Sequence, residues 1–250
     1  MPDVTEFAAS GDSVVEKSGP VFAGGASWSG TMRGSVTTAG SSQDSTLTNY
    51  DFGVWNDKTG RGISSTWKIN RSFFPFALSP LAGAVASAEL KIYADNLGDT
   101  GTNSSTVYAV AATTLADSTA DYGNVFSSGT TLGTLYGSTT ISTALGYHTI
   151  TLNSDAISDI NTAAAASNTL TIGLMGYYDY NNTDPSTNAQ KIAIYYSEFG
   201  GGGGTGADPK LELTFASAGY GHDVLGVASA NIGKINGVAT ANIGKVNTVD

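Results

Sequence analysis

Apolar and polar residues alternate along SAELKIYAD at 87–95: Leu90, Ile92 and Ala94 fall on one face, Glu89, Lys91 and Tyr93 on the other. That two-residue period is the mark of a half-buried strand. The same reading predicts strands in STVYAVAA (105–112), TLGTLYG (131–137), YHTITLN (147–153), NTLTIGLMGYY (168–178), KIAIYYSEF (191–199) and PKLELTFAS (209–217). In SSTWKINRSFFPFAL, Trp67, Ile69, Arg71 and Phe73 alternate, and the phase is expected to change near Phe74-Pro75-Phe76. Pro75 lacks a ladder donor, which predicts an edge position or a bulge, and Trp67 is expected in the core. SDAISDINTAAAA (154–166) breaks the pattern: Ser154 is the predicted cap of a short helix with Ile157 and Ile160 on one face. Residues 1–24 read as a lead-in arm or a first strand, and 24–62 as long Gly/Ser/Thr-rich loops around short strands such as Tyr50–Trp55.

Turn-bounded strands without long amphipathic helices between them predict an all-β, antiparallel jelly-roll β-sandwich. Composition agrees, since 32 glycines among 250 residues penalise helix. The net charge is −10 and the basic residues form no stripe, which argues against nucleic-acid binding. No long apolar run predicts insertion into a membrane, and the first residues show no basic-then-apolar signal peptide. With no cysteine, thiolate chemistry is excluded. GGGGG at 200–204 lacks the lysine and the strand-to-helix setting of a phosphate loop.

NRSFFPFALSPLAGAVASAELKIYAD (70–95) resembles the core segment of the DNRLRE-type carbohydrate-binding-like jelly-roll modules, at Arg71, Phe76, Leu78, Leu81, Gly83, Ser87, Ala88, Leu90, Ile92 and Tyr93. Ser197-Glu198 and Pro209, Leu211, Leu213 and Phe215 are similar to the ending of that family. The resemblance implies a β-sandwich over residues 25–217 of extracellular or surface-associated type. These are scaffold positions, so they speak for fold more than for ligand.

Catalytic constellations are not legible. His148 and His222 are far apart, with no HExxH motif, and read as an exposed strand residue and a linker residue. Glu89 and Glu198 are the one pair of strand carboxylates considered for glycoside chemistry, and solvated strand charges are the plainer reading. The expectation is a non-enzymatic protein. Two oxygen-rich loops, around Asp95 and Asp99 and around Asp179 and Asp184, offer ligands for a structural calcium ion, although turns favour Asp and Asn anyway. No other cofactor is expected. Tyr177, Tyr178 and Tyr180 beside Asn181 are the candidate platform for a cell-surface glycan; covering a sheet face is the alternative role.

After a linker at 218–225 come two copies of one phrase, GVASANIGKIN (226–236) and GVATANIGKVN (237–247). Their apolar positions are Val227, Ile232, Ile235, Val238, Ile243 and Val246. The spacing does not suit a single regular strand, and the glycines and asparagines disfavour a helix. An extended arm for attachment or oligomerisation is expected. The phrase resembles the termini of structural proteins from tailed phages, which implies a virion component such as a capsid decoration, head fibre or tail-fibre part. Its partners would be other virion proteins or further copies of itself. A glycan-binding adhesion module is the alternative, and a glycoside-acting enzyme a remote one.

Overall fold

The computed structural model describes residues 2–9, 11–20, 28–46, 48–58, 65–99, 105–185, 190–197, 207–216, 234–235 and 238–239. Among them the strands are β1 (Val4–Phe7), β2 (Ser13–Pro20), β3 (Ser42–Asp44), β4 (Asn49–Lys58), β5 (Ser65–Ala77), β6 (Val85–Asp99), β7 (Thr106–Ala112) and β8 (Phe126–Ser128). They continue with β9 (Thr131–Leu132), β10 (Leu135–Thr140), β11 (Gly146–Thr151), β12 (Thr169–Gly176), β13 (Gln190–Tyr195), β14 (Lys210–Phe215), β15 (Lys234–Ile235) and β16 (Val238–Ala239). The fold is all-β, built on one large antiparallel sheet in the order β1-β14-β6-β13-β4-β5-β12-β7-β10, with a minor sheet of β8 and β9 beside it.

Two long strands make the sheet curl. Along one side β5 pairs with β4 through residues 65–70 and then with β12 through 72–77, while β2 lies on its other side. Likewise β6 carries β14 and then β13 on one side and β11 on the other. The free end, β10, thereby comes back against β11: Gly137 passes so close that a Cβ there would sit 2.5 Å from the Thr151 carbonyl oxygen. The Asn153 N–H donates to the Tyr136 carbonyl at 2.9 Å.

Both faces of β5 are buried, so its expected change of phase does not occur. Trp67, Ile69 and Phe73 pack in one apolar cluster with Trp28, Met32 and Val110; Phe74 and Phe76 pack in the other, inside the curl, with Leu90, Ile92 and Ile172. Pro75 pairs with Thr171 on one side, and on the other its carbonyl accepts from Ala9, past the end of β2. Its missing N–H faces that same side, where the ladder has stopped, so the proline costs no ladder bond.

The helix runs Ser154–Ala165 and lies against the inner cluster through Ala156, Ile160 and Ala164. Asn153, one residue before the expected Ser154, is its cap, accepting from the Asp155 and Ala156 N–H groups. In the opening segment, read as a lead-in arm or a first strand, β1 and β2 both belong to the large sheet.

Candidate functional site

The predicted glycan platform is turned inward in part: Tyr178 is buried, Tyr177 and Tyr180 are half-buried and Asn181 is exposed. After β12 the chain leaves the expected strand and makes one helical turn, Tyr177–Tyr180, whose first N–H donates to the buried Gln190 side chain at 2.9 Å. Tyr178 is only 5% exposed and Asp179 not at all. Tyr180 lays one ring face on Tyr108, with centroids 4.0 Å apart and planes 7° from parallel, and Asn181 donates to the Tyr108 hydroxyl at 3.2 Å. Tyr177 meets Tyr178 edge to face. This turn closes the outer cluster; it does not present a row of open ring faces.

The reason is Arg71, a long side chain with no solvent exposure. Its Nε and Nη2 donate to the two Asp179 oxygens at 2.7 and 2.8 Å, Nη1 to the Tyr122 carbonyl at 2.6 Å, and Nη2 also to the Arg33 carbonyl at 2.8 Å. The guanidinium stacks 3.8 Å from the Tyr122 ring centre. Burial pulls the Arg71 guanidinium down, but Asp179 and Tyr122 outweigh it and hold it above its ordinary value. Burial lowers Arg33, which donates to the Asp179 carbonyl oxygen at 2.6 Å.

Asp179 thus serves Arg71 where a calcium ligand was expected. Asp95 stands elsewhere, on β6, and Asp184 borders a small crevice with Trp28, Met32 and Trp67. The Asp99 side chain lies outside the described residues. Among the described residues no three His, Asp or Glu side chains gather to hold a metal ion, and no helix is long and apolar enough to cross a membrane.

A cluster of polar and aromatic side chains lies on the outer face of β6 and its neighbours. Alternation turns Ala88, Leu90, Ile92 and Ala94 into the core and Ser87, Glu89, Lys91, Tyr93, Asp95 and Leu97 outward. Register supplies the rest. Tyr147 on β11 sits opposite Tyr93, and Tyr195 on β13 flanks it from the other side. Both rings meet Tyr93 edge to face at 5.2 Å, giving a tyrosine row across three strands. Such pairs contribute about 0.5–1.5 kcal/mol beyond their buried area. The Tyr147 hydroxyl donates to the Asp208 carbonyl at 2.9 Å, and burial pushes it up.

A shallow groove of about 350 Å³ lies on one side of this row, lined by Asn49, Asp51, Asp95, Leu97, Ala193 and Tyr195. Ala193 pairs with Asp51 on one side and Asp95 on the other, so a small side chain forms the floor between two carboxylates. Lys191 reaches Asp51 at 2.9 Å. On the other side of the row is a second groove of about 290 Å³, lined by Ser87, Glu89, Lys91, Thr151, Glu212 and Thr214. Here Lys91 Nζ is 2.6 Å from Glu212 and 3.6 Å from Glu89, and Lys210 is 2.9 Å from Glu212. The hydrogen bond from Lys91, helped by Lys210, holds the Glu212 carboxyl below its usual range; the same bond raises Lys91.

Tyr93, Glu89 and Lys91 were legible as one face of a strand. Their lateral neighbours Tyr147, Tyr195, Asp51 and Glu212 were not, because only register brings them together. Glu89 faces Glu212 across the ladder; Glu198, the other carboxylate of the pair weighed for glycoside chemistry, lies outside the described residues, as does His222. His148 is on β11, 3.3 Å from the Ala144 carbonyl.

Of the repeat positions, Val227, Ile232, Ile243 and Val246 lie outside the described residues, and so does the 218–225 linker. Ile235 and Val238 pair directly, with Lys234 opposite Ala239, as two short antiparallel strands, one from each copy. Asn-Gly between apolar residues is a strong hairpin signal, and it sits at the junction of the two copies. Comparison with protein-family models finds no match to this chain, and comparison with curated proteins finds none either.

Proposed function

We propose that the protein is a non-enzymatic saccharide-binding module of jelly-roll type, displayed on a phage virion through its C-terminal repeats. One observation carries the binding role: a row of three tyrosines flanked on both sides by grooves of carboxylates, hydroxyls and lysines. Rings offer apolar surface to the C–H faces of a sugar, and fixed polar groups meet its hydroxyls. The charge pattern favours binding over hydrolysis. Lys91 and Lys210 hold Glu212 in salt bridges of 2.6 and 2.9 Å, which suits an acceptor of sugar hydroxyls better than a proton donor.

The virion setting rests on a separate observation, the duplicated phrase at 226–247 and its resemblance to tailed-phage structural proteins, with β15 and β16 pairing one copy to the other. Mass spectrometry of purified particles tests it directly. For binding, the measurement is a glycan array with the full chain and with Tyr93→Ala and Tyr195→Ala. Reproducible binding lost in both variants, with unchanged circular dichroism, is expected. A silent array, or binding indifferent to both changes, sinks the saccharide reading and leaves a purely structural virion protein.

A further inference from the structure

We infer that this face takes an internal stretch of an uncharged polysaccharide, laid along β6 and filling both grooves at once. The inference rests on the saccharide-binding reading and specifies its ligand. The two grooves line up along one strand. Ser87 and Glu89 border one, Asp95 and Leu97 border the other, and Tyr93 stands between them. From Ser87 to Asp95 the outward face runs about 27 Å at roughly 3.4 Å per residue. That is several times the width of one pyranose ring, so a monosaccharide engages one groove or the tyrosines, never all three.

The direction follows from the same placement. A ligand that enters both grooves must cross the tyrosine row, where Tyr93 and Tyr195 present an apolar ridge and Lys210 Nζ lies 4.7 Å from the Tyr147 ring centre. Polar, apolar, polar is the order a sugar chain meets when successive rings alternately hydrogen-bond and stack. Charge selects the polymer. Asp51, Asp95, Glu89 and Glu212 outnumber Lys91, Lys191 and Lys210 on this face, and the whole chain carries −10. A polyanion would be repelled, while neutral hydroxyls donate to the carboxylates without cost in charge.

Chain-length dependence tests the inference. Gluco-, manno-, xylo- and N-acetylglucosamine oligomers, from mono- to hexasaccharide, are titrated calorimetrically into the full chain. In the series that binds, affinity should rise by at least about tenfold between disaccharide and hexasaccharide. Asn49→Arg and Thr151→Arg, both at exposed positions, narrow one groove each, and melting curves check that they fold. Each should bring the hexasaccharide back to disaccharide affinity. Equal affinity for mono- and hexasaccharide overturns the inference and points to recognition of a terminal sugar. So does a length dependence that survives either variant. If no oligomer binds and the array is silent, the saccharide reading falls with it.

Discussion

Arg71 and Asp179 form a two-pronged ion pair, 2.7 and 2.8 Å long, with neither side chain more than 1% exposed. It ties the middle of β5 to the turn after β12. The remaining Arg71 donors hold the Tyr122 and Arg33 carbonyls, so one side chain fastens three separate segments over the outer cluster.

Asp179→Ala should therefore cost about 3–5 kcal/mol, because it leaves a buried guanidinium uncompensated. Arg71→Met should cost about as much, since it removes both short hydrogen bonds to the carboxylate, leaving Arg33 at 3.8 Å as its ion-pair partner, and the donors to two carbonyls. The double variant should be less destabilised than the sum, by about 1 kcal/mol or more. Urea denaturation measures all three. Strict additivity would show that the pair does not act as a unit.

Gly53 sits at φ +112°, and a Cβ there would lie 2.6 Å from the Gln190 carbonyl oxygen on the paired strand. Gln190 in turn spans to Tyr177 and Thr106, both at 2.9 Å. Gly53→Ala should lower stability by about 1–3 kcal/mol or more through backbone strain and this clash. Gly146→Ala, which meets nothing within 4 Å, should stay within about 0.5 kcal/mol. Comparable losses at the two glycines would contradict the tight strand approach at Gly53.

The Lys91–Glu212 contact gives stability a pH signature. Glu212 is held below its ordinary 4.5, so its contribution is present above that value and fades as pH falls through the lower folded value. Lys91 is raised above its ordinary 10.5, so its contribution is full below that and fades as pH climbs through the folded value. Glu212→Gln should be less stable than the wild type near neutrality and converge with it in acid. Added salt should narrow the gap, because both side chains are partly exposed. A difference constant from neutral to strongly acidic pH would rule this pair out as its source.

Removing residues 226–250 should leave the β circular-dichroism signal and the melting temperature unchanged, since among the described strands β15 and β16 pair only with each other. A single pair of strands is marginal by itself and needs a further surface to hold it. Light scattering and co-sedimentation with particles should then show loss of self-association or of particle binding. Wild-type occupancy after truncation would assign attachment to the sheet instead.

Local pattern alone determined the all-β class, most strand positions, the helix at Ser154–Ala165 and the buried Trp67, because alternation and turn residues act within a few positions of the chain. It also put Glu89, Lys91 and Tyr93 on one face of β6. Tertiary structure decided everything lateral. Tyr195, Tyr93 and Tyr147 come from three distant segments, and a slip of one residue in either ladder would send a tyrosine to the opposite face. Tertiary structure also decided which part of the Tyr177–Asn181 run turns inward: Tyr178 and Asp179 are buried, Tyr177 and Tyr180 half-buried and Asn181 exposed. A run of tyrosine, aspartate and asparagine looks like a solvated loop by composition, yet a buried arginine needs a buried anion, and Asp179 is drawn inside with Tyr178 to supply it. That demand originates more than a hundred residues away, at Arg71, beyond the reach of any local pattern.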